Sequence, residues 1–397
     1  MEIGLPRKKV QRLCKLRQLG FHLANLCEEN VVYVDGKEYC ERKASPESLK
    51  HIDIYFASGP RNASDVCHYR PEYADRVVES GNPRFDTLLP KWRAVYESEA
   101  RNLRERFGRF LLVNTNFGRS NPFQIGKDIV TALKEGGLIN NEEHEAYVRR
   151  QIKYKHHQMI GLQTLLEDFS NYSFFDRIII RPHPVENHNV WKSWAENVKG
   201  VEVHFERNAN CWMLAAEAVL HTGCTTGIEG VLLDRPVFSY TPVPKSEFFN
   251  QSDAVSIRVN NARELSLMVK EIIGMDDKKI RHCYTKQRSE LSKYIRNIEP
   301  PLASDVILDK LEMLDLPFID IVGFNYNQKP LVKIMKKIKR VGHFIRDGGK
   351  RIKRAHQKFP ILDKDDLLNP LNLWLKAGVI SRIPKLHRAD ERLWVVY

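Results

Sequence analysis

The sequence lacks the features that mark several familiar classes of protein. Its seven cysteines are an odd number, widely spaced, and no two of them form a CxxC pair. Neither a disulfide framework nor a zinc cluster is therefore predicted. No uninterrupted apolar run approaches the ~20 residues that span a bilayer, and the first residues lack the apolar stretch of a signal peptide. We expect a soluble or peripheral protein in a reducing cytoplasm.

Outside one segment, the chain also carries little net positive charge. The chain of 397 residues is 42% hydrophobic and carries a net charge of +13, which suits two domains with real cores. Residues 329–358 hold twelve Lys or Arg and one acid, and so contribute +11 of the total. Apolar residues at helical spacing from Lys329 to Arg346 predict a basic amphipathic helix on an anionic membrane, the inner face of the cell membrane.

A nucleic-acid-binding protein is the alternative interpretation of this basic segment. Phe344 is its only aromatic residue, and no known nucleic-acid module surrounds it. We therefore expect no nucleic-acid partner.

Strands alternate with helices through the middle of the chain, which predicts a parallel, doubly wound sheet. Two similar strands, within 51–59 and 76–83, precede this region. We expect an N-terminal α/β domain over residues 1–100, a nucleotide-binding domain over 101–300 and a helical, basic extension over 301–397. The predicted strands of the second domain lie within 109–118, where the strand opens into a polar loop, and at 177–181, 201–205, 218–222 and 236–240.

Ligands of such sheets lie outside the carboxyl ends of the strands, which directs attention to three loops. The segment Arg181-Pro-His-Pro-Val-Glu186 follows an apolar strand, and its prolines favour an extended backbone. Arg181 and His183 are then able to donate hydrogen bonds to a phosphate. An ordinary loop with an exposed histidine is an equally open interpretation.

The segment His221-Thr-Gly-Cys-Thr-Thr-Gly-Ile-Glu229 runs from a strand into a helix. Small residues at that junction expose backbone N–H groups to an anion. Thr225 and Thr226 add hydroxyl donors, and Glu229 is placed to accept from a ribose. The alternative is a plain helix start with Thr225 as its N-cap.

The third loop belongs to Val113-Asn-Thr-Asn-Phe-Gly-Arg-Ser-Asn121, which forms a polar rim after a buried strand. On its own, this segment is typical of an ordinary turn. We expect all three loops to converge on one edge of one sheet.

Together with Gly81-Asn-Pro-Arg-Phe-Asp86 and Arg235-Pro-Val-Phe-Ser-Tyr240, these loops resemble the bacterial surface carbohydrate biosynthesis proteins, which look like GT-B glycosyltransferases. The His-Pro and paired-hydroxyl motifs are also similar to those of bacterial sialyltransferases, β-Kdo transferases and CDP-glycerol polymerases. The resemblance covers about Leu19 to Tyr240. It implies an α/β, GT-B-like fold of two Rossmann-like domains, the first of them short or truncated.

The resemblance also implies roles for individual residues. His183, Thr225 and Thr226 correspond to the residues that hold the donor phosphate, and Glu229 to the one that meets the ribose or base. The donor side as a whole comprises Asn114, Asn116, Arg119, Arg181, His183, Glu186, Thr222, Cys224, Thr225, Thr226 and Glu229. Asn82 and Arg84 correspond to the interdomain or acceptor side.

A catalytic acid is the weakest part of this correspondence. Cys27-Glu-Glu-Asn30 matches the acidic motif of the sialyltransferases with Asn in place of Gly. Glu28 or Glu29 is the candidate, as a general base or, in a retaining enzyme, as a nucleophile. Two solvated surface acids are the alternative.

The resemblance implies a metal-independent glycosyltransferase that needs no cofactor. Its donor would be a nucleotide-sugar, most simply CMP-linked and Kdo- or sialic-acid-like, and its acceptor a surface polysaccharide or lipid-linked glycan. The enzyme alternatives are a CDP-glycerol-type polyol-phosphate transferase and, less favoured, a nucleotide-sugar epimerase. Because only about 100 residues precede the second domain, a catalytically inactive, membrane-associated scaffold is a further alternative.

Overall fold

A computed structural model describes most of the chain, and the basic segment 329–358 lies outside the described residues. The described residues are 5–27, 29–123, 128–135, 139, 141–243, 246–273, 285–314, 363–384, 386–390 and 393–396.

The first part of the chain forms a small parallel sheet of three strands in the order β1-β2-β3. Every residue of the middle strand is buried, as expected of a strand covered on both faces. The strands are β1 (Ala24–Leu26), β2 (Ile54–Ala57) and β3 (Val77–Glu79). The accompanying helices are α1 (Val10–Gln18), α2 (Gly36–Lys43), α3 (Pro46–Leu49) and α4 (Pro60–Tyr69).

Helix α2 begins after an aspartate N-cap. The Asp35 carboxylate accepts a hydrogen bond from the backbone N–H of Glu38 at 2.7 Å. An aspartate in extended backbone before a helix satisfies a donor that the helix leaves unpaired.

The second sheet has six parallel strands in the order β6-β5-β4-β7-β8-β9. Leu111 and Val113 pack into one core layer and Phe110 and Leu112 into another, since side chains alternate across a strand. The strands are β4 (Phe110–Asn114), β5 (Arg177–Arg181), β6 (Val201–Val203), β7 (Ala218–His221), β8 (Val237–Tyr240) and β9 (Ile257–Val259).

Helices cover both faces of this sheet, which is the doubly wound arrangement. They are α5 (Ala94–Phe107), α6 (Ile129–Glu135), α7 (Glu142–Ser170), α8 (His188–Ala195), α9 (Ala209–Ala215), α10 (Thr226–Leu232), α11 (Gln251–Ala254) and α12 (Ala262–Ile273). Two parallel α/β sheets in succession, the first of them small, confirm the fold class predicted from the sequence.

After the second sheet the chain returns to the first. The backbone N–H of Arg296 donates to Ser58 O at 2.9 Å. The carboxylate of Asp86 accepts from the N–H groups of Ala303 and Ser304 at 3.1 and 2.9 Å, at the start of helix α13 (Ala303–Glu312).

The described residues near the C-terminus form a helix and two strands. Helix α14 (Lys364–Lys376) is followed by an antiparallel pair, β10 (Leu386–Asp390) and β11 (Leu393–Val396), which the sequence did not predict. Among the described residues, no helix combines the length and the apolar character that a membrane crossing requires.

Candidate functional site

The six-stranded sheet has a topological switch point between β4 and β7. From β4 the chain builds β5 and β6 on one side and then returns to build β7, β8 and β9 on the other. Asn114 at the end of β4 is in register with Arg181 of β5 and with His221 of β7. The loops after these strands therefore leave the same edge side by side, as the sequence predicts, where such sheets bind ligands.

Glu186 joins the first two of these loops instead of facing a ligand. Its side chain is fully buried, and Oε1 accepts from Thr115 Oγ1 at 2.7 Å, from Phe117 N at 2.9 Å and from His183 N at 3.2 Å. Oε2 accepts from Trp191 Nε1 at 2.8 Å. Burial raises the pKa of Glu186 and these donors oppose the rise. The sequence predicted that Glu186 contacts a phosphate, but in the structure Glu186 positions the two loops.

His183 is half-buried beside this carboxylate. Its Nδ1 accepts from the backbone N–H of Val185 at 3.3 Å, so the neutral ring carries its proton on Nε2. The carbonyl oxygen of His183 lies 3.2 Å from His188 Nε2. The loop thus holds the ring in one tautomer as a hydrogen-bond donor.

Arg181 is directed away from the other two loops. Its guanidinium donates to Glu206 O at 2.9 Å and to Arg207 O at 2.6 Å, and lies over the ring of Phe205. Burial lowers the pKa of Arg181 to about 10. Arg181 therefore holds the loop after β6 in place. It does not join the phosphate-binding residues with which the sequence analysis grouped it.

The loop after β7 is shaped by a neutral histidine. Burial lowers the pKa of His221 to about 4. Its Nδ1 accepts from Gly223 N at 3.0 Å and its Nε2 lies 2.9 Å from Ser256 Oγ. Gly223 takes a φ of +78°, a conformation that glycine adopts without steric cost.

Two threonines, Thr225 and Thr226, follow this turn at the start of α10. Thr225 stands at the N-cap position of α10 in helical backbone geometry and makes no side-chain cap hydrogen bond, so its side chain does not cap the helix as the alternative required. Thr226 Oγ1 lies 2.7 Å from Cys224 Sγ, and burial raises the pKa of that thiol. The loop therefore presents the Thr225 side chain without using it for capping.

The loops after β4 and β7 are joined across the switch point. Asn116 Nδ2 donates to Gly223 O at 3.1 Å. Two neighbouring polar atoms, Asn114 Nδ2 and Thr222 Oγ1, are buried without a hydrogen-bond partner among the described residues. Such atoms are rare in folded proteins and call for an explanation.

A cleft of about 150 Å³ opens at this point between the two sheets. Asn116, Arg119, Thr222 and Gly223 line it from the switch-point loops, and residues 32–42 line it from the first part of the chain. The remaining wall comes from α7 and from residues 248–253. His183, Cys224, Thr225, Thr226 and Glu229 lie outside the lining.

Most of the lining residues were not singled out by the sequence. Among them are Arg42 of α2 and Tyr147 and Lys155 of α7. Each sits in a helix rich in other charged residues, and no local pattern tells a cleft-facing side chain from a solvated one. The one usable sequence feature is that α7 belongs to the connection between β4 and β5 and must therefore pack on the sheet beside them.

A larger groove of about 630 Å³ runs along β9, lined by residues 254–260 and by Lys286, Gln287 and Glu290. It contains none of the predicted site residues and follows an edge strand instead of a switch point. The smaller cleft is therefore the better candidate site.

Arg84 joins the two parts of the chain, whereas Asn82 contacts residues of the first part. Asn82 is buried, and its Nδ2 donates to Cys27 O and to Asn30 Oδ1, both at 3.3 Å. Arg84 Nη2 lies 2.5 Å from Glu229 Oε1, and Glu229 is only 5% exposed. An interdomain residue and a donor-side residue, both predicted from the sequence, thus form one ion pair.

Of the two predicted catalytic acids, the structure describes Glu29, which is not part of the cleft lining. Glu28 lies outside the described residues. The Glu29 side chain is 60% exposed and forms a salt bridge with Lys43 at 3.0 Å, which favours the solvated-acid alternative. Within the described ranges, no three His, Cys, Asp or Glu side chains form a metal-type cluster.

No protein-family model and no curated protein matches the sequence. Solved structures with some similarity include a variant of the wall teichoic acid polymerase TagF (11% identity, TM-score 0.43), with 68% of this chain and 61% of that chain covered. The chain thus spans about 61% of that protein's length. The UDP-GlcNAc 2-epimerase of Methanocaldococcus jannaschii, in complex with UDP-GlcNAc and UDP, is 11% identical at a TM-score of 0.49, with 78% and 74% covered. The epimerase of Neisseria meningitidis bound to UDP-GlcNAc is 13% identical at 0.48, with 78% and 75% covered.

Proposed function

We propose that the protein is a glycosyltransferase that uses a nucleotide-sugar donor and holds the donor phosphate at the switch point of the six-stranded sheet. The donor we favour is CMP-linked and carries a Kdo- or sialic-acid-like sugar. The acceptor we favour is a surface polysaccharide or a lipid-linked glycan.

One observation carries this proposal: three polar loops leave neighbouring strand ends beside a cationic cleft between two sheets. Asn114 is in register with both Arg181 and His221, and a cleft opens where the loops after β4 and β7 meet. Parallel α/β sheets bind phosphate-bearing ligands at such places. Surface loops without a binding role would not require a buried carboxylate such as Glu186 between them.

In the proposed reaction the phosphate-binding groups stabilise the departing nucleotide. The ring N–H of His183 and the hydroxyls of Thr225 and Thr226 would donate to its oxygens, where negative charge develops in the transition state. Glu186 would act only by holding His183 and the loop after β4 in place. A carboxylate that activates the acceptor hydroxyl is proposed at Glu28 or Glu29.

We also propose the division of labour along the chain. Residues 1–100 would serve the acceptor side, 101–300 the nucleotide and 301–397 the membrane. Each Lys or Arg of 329–358 that lies near an anionic leaflet would contribute about 1 kcal/mol of binding.

Thermal unfolding with CMP, CDP, UDP and GDP tests the nucleotide part of this proposal. At a hundred times its dissociation constant, a ligand stabilises the native state by about 2.7 kcal/mol. We expect cytidine nucleotides to raise the Tm most and His183→Ala to abolish the rise. His157→Ala, at an exposed position of α7, is the matched control and should keep it. No rise with any of the four nucleotides, or an equal rise in His183→Ala, would contradict the proposal.

A further inference from the structure

Five hydrogen-bond donors meet in the cleft from both parts of the chain. Arg42 comes from α2, Arg119 and Thr222 from the switch-point loops, and Tyr147 and Lys155 from α7. Arg42 Nε, Tyr147 Oη and Thr222 Oγ1 are buried without a partner among the described residues. An unsatisfied buried donor destabilises the native state, so three at one place indicate a ligand that pairs with them.

The charges around these donors favour an anion. Within the described part of the chain, neither Arg119 nor Lys155 forms a salt bridge: Arg119 donates to Gln151 Oε1, and Lys155 Nζ to Thr222 O at 2.6 Å. Burial and then the like charge of Arg42 lower the pKa of Arg119. Burial also lowers the pKa of Lys155.

The two acids that line the cleft, Glu38 and Asp253, neutralise only part of this charge. Glu38 Oε1 lies 3.7 Å from Arg42 Nη1. Asp253, which also lines the cleft, already accepts from Ser239 Oγ at 2.5 Å and from Asn250 N at 3.0 Å. Two acids therefore face three cations, and an incoming anion would relieve the repulsion among the cations.

The size of the cleft limits what it holds. Its volume of about 150 Å³ is roughly five times the ~30 Å³ share of one water molecule. Sites for whole drug-sized ligands measure about 300–1,000 Å³. The cleft therefore encloses one oxyanion group of a larger ligand and not a whole nucleotide-sugar.

We propose that this cleft is a second oxyanion subsite, built by Arg42, Arg119, Lys155, Tyr147 and Thr222 and separate from the phosphate site at His183, Thr225 and Thr226. It takes a phosphate or carboxylate group of a substrate. The subsite is complete only when α2 and the switch-point loops face each other. The identity of the substrate rests on the proposed function, whereas the binding of the oxyanion does not.

Calorimetric titration of the full-length protein with inorganic phosphate tests the subsite. Lys155→Met and Tyr147→Phe should each raise the dissociation constant at least fivefold. Tyr147→Phe should not lower the Tm, because it removes a hydroxyl that has no partner among the described residues. Lys155→Met removes a buried charge but also the hydrogen bond to Thr222 O, so its Tm is measured beside its phosphate affinity. Lys153→Met and Tyr172→Phe, at exposed positions, are the matched controls and should bind phosphate within twofold of the wild type.

A purely structural role for these side chains gives the opposite pattern. Phosphate affinity unchanged in both Lys155→Met and Tyr147→Phe, or no phosphate binding by the wild-type protein, would overturn the subsite. If a variant loses stability, Thr222→Val provides the second test, since it removes an unpartnered hydroxyl of nearly the same shape.

Two further arms separate the subsite from the proposed function and identify the ligand chemistry. Phosphate should bind equally well in the presence of saturating CMP, and competition between the two would overturn the claim of a separate subsite. Acetate in place of phosphate distinguishes a carboxylate source by its relative affinity. If phosphate binds while no nucleotide does, the subsite stands and the nucleotide proposal fails.

Discussion

At the scale of single residues, the chemistry predicted for polar side chains depends on what they already contact. Glu186 and Arg181 belong to the motif that the sequence singled out, yet both are committed to neighbouring loops. A tetrapeptide pattern indicates that a loop matters, but it cannot tell a ligand-facing group from a positioning one. That distinction arises from tertiary contacts such as Trp191 Nε1 to Glu186 Oε2.

Glu186→Gln should destabilise the protein by about 1–3 kcal/mol. An amide can replace one carboxylate oxygen only, so at least one of the buried donors loses its acceptor. Denaturant unfolding measures the change. Glu167→Gln is the matched control, because Glu167 Oε1 accepts from Trp194 Nε1 at 2.8 Å at an exposed site, where we expect less than about 0.5 kcal/mol. Equal effects in the two variants would refute the positioning role.

His221 should make the protein sensitive to acid. Its pKa, lowered by burial to about 4, lies below the ordinary value near 6.5, so the unfolded chain binds the proton first. Stability from this group is complete above pH 6.5 and is lost as the pH falls towards 4, by about 3 kcal/mol in all.

Unfolding free energies at pH 7 and pH 4.5 measure this loss. His221→Asn should be less stable than wild type at pH 7 and should lose less stability over the same interval. His204→Asn, which changes a histidine paired with Glu202 and Glu206, is the comparison. A wild-type loss no greater than that of His221→Asn would contradict the assignment.

At the scale of elements, the sequence predicted the second sheet well because its strands are continuous apolar runs between polar loops. Phe110–Asn114 and Val237–Tyr240 are buried at every position, and parallel strands covered on both faces give that pattern. The cleft was less predictable. Residues of α7 face the cleft because of how that helix packs. The 29 residues of α7 are of mixed polar character, so the sequence does not show which polar face of the helix is covered.

Close packing of the loops after β4 and β5 can be tested at Gly118. A Cβ at this position would lie within van der Waals overlap of Val185 Cγ2, so Gly118→Ala should force the loops apart and cost about 1–3 kcal/mol. Adding Val185→Ala should recover most of that loss. The four unfolding free energies of this double-mutant cycle measure it, and a strictly additive result would contradict the contact.

At the scale of the whole molecule, the two sheets are joined by polar contacts as well as by the returning chain. Arg84 pairs with Glu229, and the backbone N–H of Tyr33 donates to Gln251 Oε1 at 2.9 Å. The sequence marked Arg84 and Glu229 separately and did not predict their pairing, because residues 145 positions apart carry no local trace of contact.

A double-mutant cycle with Arg84→Met and Glu229→Gln should give a coupling energy of about 1–3 kcal/mol, since contacting residues couple in that range and Glu229 is nearly buried. The exposed pair Arg150 and Glu247 is the matched control and should couple by less than about 1 kcal/mol. Coupling at Arg84 no greater than in the control would show that the ion pair does not hold the sheets together.

The central claim is that a nucleotide binds at the carboxyl edge of the larger sheet, and hydrogen–deuterium exchange with and without CMP tests it most directly. We predict that CMP slows exchange in peptides covering 115–121, 182–186 and 222–226, and leaves exchange along β9 unchanged. Unchanged exchange in all three loops, or slower exchange only along β9, would contradict the account.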